Sequence, residues 1–469
     1  MRRKFALLMK SRFISGGMWA LSSKIIVAIC SLGINAMLAR LLSPAEMGVY
    51  FLVITWVAIA ALLAQLGLGS AIIKLLGEAL SRQDAGAARG AIRAILTWAL
   101  AGAVFMATIT YTAPGRWAAI AMFNSPSMLA LLGVTAAIVA LTSLQNLAAE
   151  TLRGFGDIPK ASIAGGLLTA AVFALALLYY TVMYEHSTLR AVLWANAFAL
   201  TLATAVGGYW LSRAYRDLRG HRPVPPVGLV NLAAPLLVVN VGGFVLMQAD
   251  LWILGMYKSQ AEVAVYGAAS RLAGTLWMLT TVVLAVLAPI IAQKCAHNEK
   301  SELQRVLRAA ATASALAALP VVAAFAAFPK GILTLVYGSF YATGAPILAI
   351  LALGLFVNIL LGIRGYVLMM TGHQRVLMRL VILGAAVNIV ACTVAARYGT
   401  TVSVALAAVG ANVLTYLLEI WLVRKTVGIW TLFSVRAIST VQDHINRYLA
   451  PETKNANRTP IRKNPGYNE

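Results

Sequence analysis

The chain has 469 residues, of which 61% are hydrophobic and 11% charged, with a mean hydropathy of +0.82. A soluble domain carries roughly 25% charged residues, so this composition excludes a soluble fold and indicates a protein of the lipid bilayer. The net charge of +23 does not predict a nucleic-acid partner, because Lys and Arg fall in short segments between apolar runs. The three cysteines predict neither a disulfide framework nor a metal site.

Apolar runs long enough to cross a bilayer recur along the whole chain. A helix needs roughly 20 apolar residues to span the hydrocarbon core. We therefore predict an all-α polytopic membrane protein with about twelve transmembrane helices. The predicted spans are 14–40, 46–73, 90–112, 126–152, 160–183, 188–212, 228–256, 262–292, 306–328, 342–370, 376–396 and 400–423.

The basic residues are distributed very unequally between the two sides of the predicted membrane. Of the 38 Lys and Arg residues, 29 fall in the N-terminal segment, the C-terminal segment and alternate loops, and six fall on the other side. The positive-inside rule places the basic side in the cytoplasm, so both termini are expected there. The N-terminal segment predicts a first span rather than a removed signal peptide.

The chain also repeats itself. Ser43–Tyr50 matches Ser259–Tyr266 at an offset of 216 residues, and the same offset pairs Gly156 with Gly372. This predicts two six-helix repeats that enter the membrane in the same direction, with a binding site at their interface. The predicted organisation is an N-terminal lobe (1–213), a cytoplasmic linker (214–228), a C-terminal lobe (229–425), an amphipathic surface helix (426–450) and a disordered tail (451–469).

Four segments carry a resemblance to a known family: Leu38–Tyr50, Gln65–Gly69, Leu152–Asp157 and Asp250–Gly255. They resemble polysaccharide exporters of the multidrug/oligosaccharidyl-lipid/polysaccharide (MOP) superfamily, and among these the Wzx-type flippases of lipid-linked oligosaccharides. The resemblance extends over about residues 14–425. It implies a V-shaped pair of six-helix lobes, as in the MATE multidrug transporters, and transport by alternating access.

The resemblance also implies the substrate and the compartment. An undecaprenyl-pyrophosphate-linked oligosaccharide would move from the cytoplasmic to the periplasmic leaflet of the bacterial inner membrane. The pathway would be exopolysaccharide or O-antigen (lipopolysaccharide) biosynthesis. Membrane lipids, a polysaccharide polymerase and a co-polymerase are the implied partners. Coupling to H⁺ or Na⁺ is compatible with the sequence, and no other cofactor is expected.

Lys24 is the first of the charges that the membrane should exclude. On a helix, Gly17, Ser31 and Asn35 fall within about 20° of it, which makes a narrow stripe of small and polar residues. One interpretation is a hydrated cavity wall in which Lys24 and Asn35 bind an anionic substrate. The alternative is helix packing through small residues, with Lys24 reaching the interface.

Asp250 and Arg271 each lie ~10–12 Å from the periplasmic end of their span, in the two spans of one predicted hairpin. Asn240 and Gln248 accompany Asp250 on its span. The functional interpretation makes Asp250 and Gln248 ion-coupling residues, and Arg271 and Asn240 substrate-binding residues. The structural alternative is a salt bridge between Asp250 and Arg271.

Arg364 is the third intramembrane cation, with either a substrate-binding role or a partly snorkelled position. No phosphate-binding loop or catalytic constellation is present in the sequence, so a transporter is predicted rather than an enzyme. The leading prediction is a lipid-linked oligosaccharide flippase. Its alternatives are a cation-coupled MATE-type drug antiporter, a lipid II flippase and a non-transporting scaffold.

Overall fold

The computed structural model describes residues 2–184, 187–218, 220, 226–296 and 300–434. Within these ranges the chain is almost entirely helical and contains no β-strand. Helices are the expected response to a hydrocarbon solvent, because a helix satisfies its backbone N–H and C=O groups internally. The predicted all-α fold is therefore confirmed.

The first half of the chain forms ten helices, several of them short pieces between longer ones. They are α1 (Arg2–Leu41), α2 (Pro44–Ala64), α3 (Leu68–Ser81), α4 (Ala85–Tyr111), α5 (Ala113–Trp117), α6 (Pro126–Leu129), α7 (Leu132–Gly154), α8 (Ile158–Ser162), α9 (Leu168–Met183) and α10 (Leu189–Arg216). Two π-helical turns, Ala118–Met122 and Ile163–Leu167, join α5 to the segment before α6 and α8 to α9.

The second half forms eight helices. They are α11 (Pro226–Tyr257), α12 (Gln260–Ala296), α13 (Lys300–Ala327), α14 (Pro329–Tyr337), α15 (Ala345–Leu361), α16 (Arg364–Met370), α17 (Gln374–Tyr398) and α18 (Thr401–Thr426). A 3₁₀ turn, Ser339–Gly344, leads into α15.

Eleven described helical segments are long and apolar enough to cross a membrane. The remaining predicted span, 262–292, falls in α12. Its 37 residues correspond to about 55 Å of helix at 1.5 Å per residue. The prediction of about twelve transmembrane helices is confirmed.

Four predicted spans contain a break in the helix. The span 126–152 is broken between α6 and α7, and 160–183 has a kink at Gly166, whose φ is 153°. The extents predicted for the other two are wrong. The span 46–73 is broken after α2, where Leu66 and Gly67 have φ angles of 51° and 76°. The span 342–370 is broken between α15 and α16, where Gly362 has a φ of 76°. A positive φ cannot continue a right-handed helix. A hydropathy profile depends only on composition and contains no information on backbone angles, so it does not detect such breaks.

The predicted duplication is visible in the caps of α2 and α12. Before α2, the N–H of Ser43 donates to Glu46 at 3.1 Å and the N–H of Glu46 donates to Ser43 Oγ at 3.3 Å. Ser259 and Glu262 make the same two bonds before α12, with the same lengths. Such a reciprocal capping box fixes the start of a helix. Equivalent sequences thus start equivalent helices in the two halves.

A second pair of equivalent positions behaves in the same way. Gly156 follows α7 with a φ of 80°, and Gly372 follows α16 with a φ of 81°. Glycine is the residue that adopts this left-handed conformation without a steric penalty. The 216-residue offset therefore relates turns as well as helix starts.

The two halves meet where α2 packs against α12 and α11, and where α1 packs against α12. The backbones approach so closely that a Cβ atom on Gly48 would lie 1.9 Å from the carbonyl oxygen of Gln260. Farther along, Trp252 Nε1 donates to Thr55 Oγ1 at 2.9 Å, and the Trp252 ring packs edge-on against Phe123. One buried apolar cluster runs through both halves.

The segment after α18 differs from its prediction. Residues 427–434 are not helical, so the amphipathic helix predicted over 426–450 does not begin at 426. Residues 435–469, which hold the rest of that helix and the predicted tail, lie outside the described residues. The linker predicted over 214–228 coincides with the junction of α10 and α11. Residues 219 and 221–225 of this junction also lie outside the described residues. The two lobes stay predictions.

Candidate functional site

A cavity of about 300 Å³ lies between the two halves. Helix α1 contributes to it from the first half, and α11, α12, α15 and α18 contribute from the second. Its size is at the lower end of the ~300–1,000 Å³ typical of small-molecule sites. Of the predicted site residues, Asn35, Gln248, Asp250 and Arg271 line the cavity, whereas Lys24, Asn240 and Arg364 do not.

Asp250 is the acidic residue of the cavity, and its side chain is 8% exposed. Tyr266 donates to its Oδ2 at 2.6 Å, and the N–H of Leu251 donates to its Oδ1 at 2.9 Å. Such donors are needed because a buried carboxylate without partners is costly. None of the ion pairs between described residues involves Asp250 or Arg271. The partner of Asp250 is therefore a phenol, and the salt-bridge alternative is not realised in this conformation.

Arg271 lies on α12, where its guanidinium carbon is 5.8 Å from the centre of the Phe51 ring. Tyr50 and Tyr337 lie close enough to interact electrostatically with its charge. It makes no hydrogen bond or ion pair with the part of the chain that the structure describes. A cation in this position lacks the acceptor that an intramembrane charge normally finds. A ligand that carries negative charge would supply one.

The cavity wall formed by α1 includes two residues of the polar stripe predicted there, Ser31 and Asn35. Asn35 is buried and donates to the carbonyl oxygen of Ser31 at 2.7 Å, and Ser31 and Ala28 also line the cavity. Lys24 is exposed and lies one helical turn before Ala28, outside the lining. Asn240 is likewise exposed and lies two turns before the lining residues of α11.

Arg364 is 4% exposed and lies behind the cavity. Its Nε is 2.7 Å from a carboxylate oxygen of Glu419. Its two Nη atoms donate to Asn358 Oδ1 at 2.7 Å and to the carbonyl oxygen of Gly362 at 3.0 Å. The guanidinium also stacks on the ring of Tyr416 at 4.1 Å. Because its charge is paired with Glu419 and both Nη atoms donate hydrogen bonds, Arg364 presents no free cation to a substrate in this conformation.

Sequence reasoning missed three aromatic residues of the site. Trp277 and Tyr416 line the cavity, and Tyr266 holds Asp250. A signal for Tyr266 existed, because it ends the repeated segment and the two helices of the hairpin are joined by a short turn. Trp277 and Tyr416 carry no such signal, since aromatic residues are equally common on the lipid-facing surfaces of membrane helices.

The described residues also bear on metal binding. No three His, Cys, Asp or Glu side chains among them come together in a group that could hold a metal ion. The chemistry available in the cavity is therefore that of one carboxylate, one guanidinium, neutral amides and hydroxyls, and aromatic rings.

Comparison with known proteins identifies relatives over most of the chain. Residues 37–346 match the sequence profile of the family described as "Polysaccharide biosynthesis protein". The probable low-salt glycan biosynthesis flippase Agl15 of Haloferax volcanii is 26% identical over 124 residues, which are 26% of this chain and 26% of that protein. The match thus spans about a quarter of that relative's length.

Two solved structures share the fold. An inward-facing multidrug resistance MATE family transporter of the MOP superfamily superposes with a TM-score of 0.72 at 16% identity, over 88% of this chain and 98% of that one. The lipid II flippase MurJ in an inward closed conformation superposes with a TM-score of 0.67 at 12% identity, over 91% of this chain and 90% of that one.

These findings confirm the MOP-type fold and the resemblance from which it was predicted. Both solved structures are described as transport proteins, and this chain shares their fold. The family profile covers more than half of the chain. The chain belongs to the polysaccharide biosynthesis protein family.

Proposed function

We propose that this protein is a flippase that moves undecaprenyl-pyrophosphate-linked oligosaccharides across the bacterial inner membrane by alternating access. The family and the names of its relatives support a lipid-linked glycan as the substrate. The observation that carries the proposal is Arg271, a cation that lines the cavity between the two halves and has no acceptor among the described residues.

The energetics favour an anionic ligand for Arg271. Placing an arginine at the centre of a membrane helix costs at least ~2.5–3.5 kcal/mol. A phosphate oxygen about 4 Å away would offset this cost, since opposite unit charges attract by ~4 kcal/mol at an effective dielectric constant of 20. Arg271 is thus the residue that binds the pyrophosphate. The cavity carboxylate does not compete for it, because Asp250 is held by Tyr266.

The polar stripe of α1 supplies the route to this anchor. Lys24 is exposed and precedes Ala28, Ser31 and Asn35 along the helix. With the basic side of the protein in the cytoplasm, Lys24 lies on the cytoplasmic approach and attracts the phosphates before they reach Arg271. Asn240 has an equivalent position in the second half, 216 residues later, and is also exposed.

Asp250 is the residue that carries the coupling cation, with Gln248 beside it on the cavity wall. A carboxylate that lines a cavity within the membrane is a common proton carrier in transporters. Protonation of Asp250 would weaken its bond from Tyr266, and this change would connect the α11–α12 hairpin to the protonation state of the cavity.

A reconstituted flipping assay tests the proposal. The full-length protein is placed in proteoliposomes with undecaprenyl pyrophosphate bearing a disaccharide. The fraction of disaccharide protected from a membrane-impermeant oxidant is then followed over time. We expect Arg271→Gln to slow flipping at least tenfold, because a hydrogen bond to a charged group contributes ~1.5–3 kcal/mol. Arg271→Lys should have an intermediate rate.

Arg397→Gln is the matched control, since Arg397 is exposed at the end of α17 and lies outside the cavity. Its rate should stay within twofold of the unaltered protein. If the unaltered protein does not accelerate flipping, but expels a cationic aromatic dye along an opposing ion gradient, the MATE-type antiporter is correct instead. Equal flipping by Arg271→Gln would remove Arg271 from the substrate site.

A further inference from the structure

Two aromatic rings in the cavity are not explained by an anion anchor. Trp277 on α12 and Tyr416 on α18 both line it, with exposed fractions of 39% and 8%. Asn412, one turn before Tyr416, also lines the cavity. Its Nδ2 donates to the carbonyl oxygen of Leu246 at 3.3 Å, and its buried Oδ1 has no hydrogen-bond partner among the described residues. An aromatic face beside amide groups is the surface that a pyranose ring fits. The sugar has an apolar C–H face that packs on the ring and hydroxyls that bond to the amides.

The ring of Tyr416 is fixed from behind. The guanidinium of Arg364 stacks on it at 4.1 Å, and Arg364 is itself 4% exposed. Glu419, one turn after Tyr416 on the same helix, holds that guanidinium at 2.7 Å. One face of the phenol ring is therefore covered by a buried ion pair, and the ring has little freedom to turn away from the cavity.

Arg364 is anchored in turn by the break between α15 and α16. Its guanidinium donates to the carbonyl oxygens of Gly362 and Asn358, at 3.0 and 3.4 Å, and to Asn358 Oδ1 at 2.7 Å. The carbonyl groups at the end of a helix have no intrahelical partner. The guanidinium therefore donates hydrogen bonds to carbonyl groups that the break leaves without one. The side chain that stabilises the broken helix is thus the one that supports the cavity wall.

We propose that Trp277, Tyr416 and Asn412 form a sugar-ring subsite, and that Arg364 is the residue that positions Tyr416 in it. The inference rests on the proposed function, because it assigns the saccharide of the substrate to this wall and the pyrophosphate to Arg271. Stacking uses the C–H faces that pyranoses share, so the subsite tolerates different sugars. Arg364 acts through Tyr416 and does not touch the substrate.

Equilibrium binding with matched lipids tests the subsite. The full-length protein in lipid nanodiscs is titrated with bare undecaprenyl pyrophosphate and with undecaprenyl pyrophosphate that bears one hexose or one N-acetylhexosamine. The ratio of the two Kd values measures the contribution of the sugar. We expect the sugar to tighten binding between about threefold and tenfold per stacked ring.

Substitutions should change this ratio without changing the affinity for the bare lipid. Trp277→Leu and Tyr416→Leu should bring it close to one, whereas Tyr416→Phe, which keeps the ring, should retain it. Arg364→Lys keeps the charge but loses the planar stacking surface, and it should lower the ratio while binding of the bare lipid persists. Trp421→Leu is the control for a lost aromatic ring, because Trp421 is exposed on α18 outside the cavity.

The outcomes separate the two proposals. If the unaltered protein binds neither lipid, the proposed function fails. If it binds both lipids with the same Kd, the proposed function stands and the sugar subsite is wrong. Retention of the full ratio by Trp277→Leu and Tyr416→Leu, in protein with an unchanged thermal unfolding midpoint, also overturns the subsite. An Arg364→Lys protein that weakens binding of both lipids equally assigns Arg364 a purely structural role.

Discussion

The phenol of Tyr266 reaches across the α11–α12 hairpin and donates a 2.6 Å hydrogen bond to the carboxylate of Asp250. This contact predicts the result of a charge exchange. Asp250→Lys and Arg271→Asp should each abolish transport, and the double variant should stay inactive, because the two charges are not partners. Flipping in proteoliposomes is the measurement. Recovery of activity in the double variant would show that the salt bridge forms during the transport cycle.

Tyr266→Phe gives a milder test of the same contact. It removes the phenolic donor and keeps the ring, so the folded protein should persist with a slower rate. The pH dependence of that rate should also change, because a bond that stabilises the charged carboxylate is lost. An unchanged rate and an unchanged pH profile would argue against coupling through Asp250.

The buried pair of Arg364 and Glu419 makes a prediction about stability. Glu419→Gln leaves the guanidinium buried without its counterion, and breaking one partner of a buried pair typically costs ~3–5 kcal/mol. The thermal unfolding midpoint of the detergent-solubilised protein should fall markedly. Glu302→Gln is the comparison, since Glu302 pairs with Arg305 at an exposed position and salt screens such a pair. Equal midpoints for the two variants would contradict the structural role of the buried pair.

Two glycines with similar backbone angles should respond differently to alanine. Gly362 and Gly372 have φ angles of 76° and 81°, so Ala is strained at both. At Gly362 the added Cβ would also lie 2.4 Å from the carbonyl oxygen of Thr431, whereas nothing lies within 4 Å at Gly372. Gly362→Ala should therefore lower the unfolding midpoint clearly more than Gly372→Ala. Similar losses would mean that the Thr431 segment moves freely.

The predicted orientation can be tested by cysteine labelling. In a protein whose three native cysteines are replaced by serine, Lys258→Cys in the α11–α12 turn should react with a membrane-impermeant maleimide added to whole cells. Lys300→Cys, at the start of α13, should react only after the inner membrane is permeabilised. The reversed pattern would place the basic loops outside and contradict the positive-inside argument.

Composition and periodicity were sufficient for the fold class, because the bilayer restricts the chain to apolar helices of about 20 residues. The duplication was also readable, since caps such as Ser43 with Glu46 are specified by local sequence. The break at Gly362 was not readable. It depends on a positive φ, which hydropathy does not report, and on hydrogen bonds from the Arg364 guanidinium to the carbonyl groups at the break.

The candidate site was predictable only as a set of residues. An intramembrane charge must find a partner or a cavity, and this principle selected Asp250, Arg271 and Arg364. It does not say which of the two each charge finds. The structure pairs Arg364 with Glu419, gives Asp250 a phenol, and leaves Arg271 at the cavity wall. Those assignments depend on distances between helices that are remote in sequence.

The close agreement of the two capping boxes makes the differences between the halves informative. At the 216-residue offset, Asp250 corresponds to Ile34, Arg271 to Thr55 and Arg364 to Ala148. In the first half, α7 is continuous over the residues that correspond to the break between α15 and α16 in the second half. The second half therefore holds these three intramembrane charges, whereas the first half contributes the polar stripe of α1. A chimera built from two first halves would be expected to insert and fold, and to transport nothing.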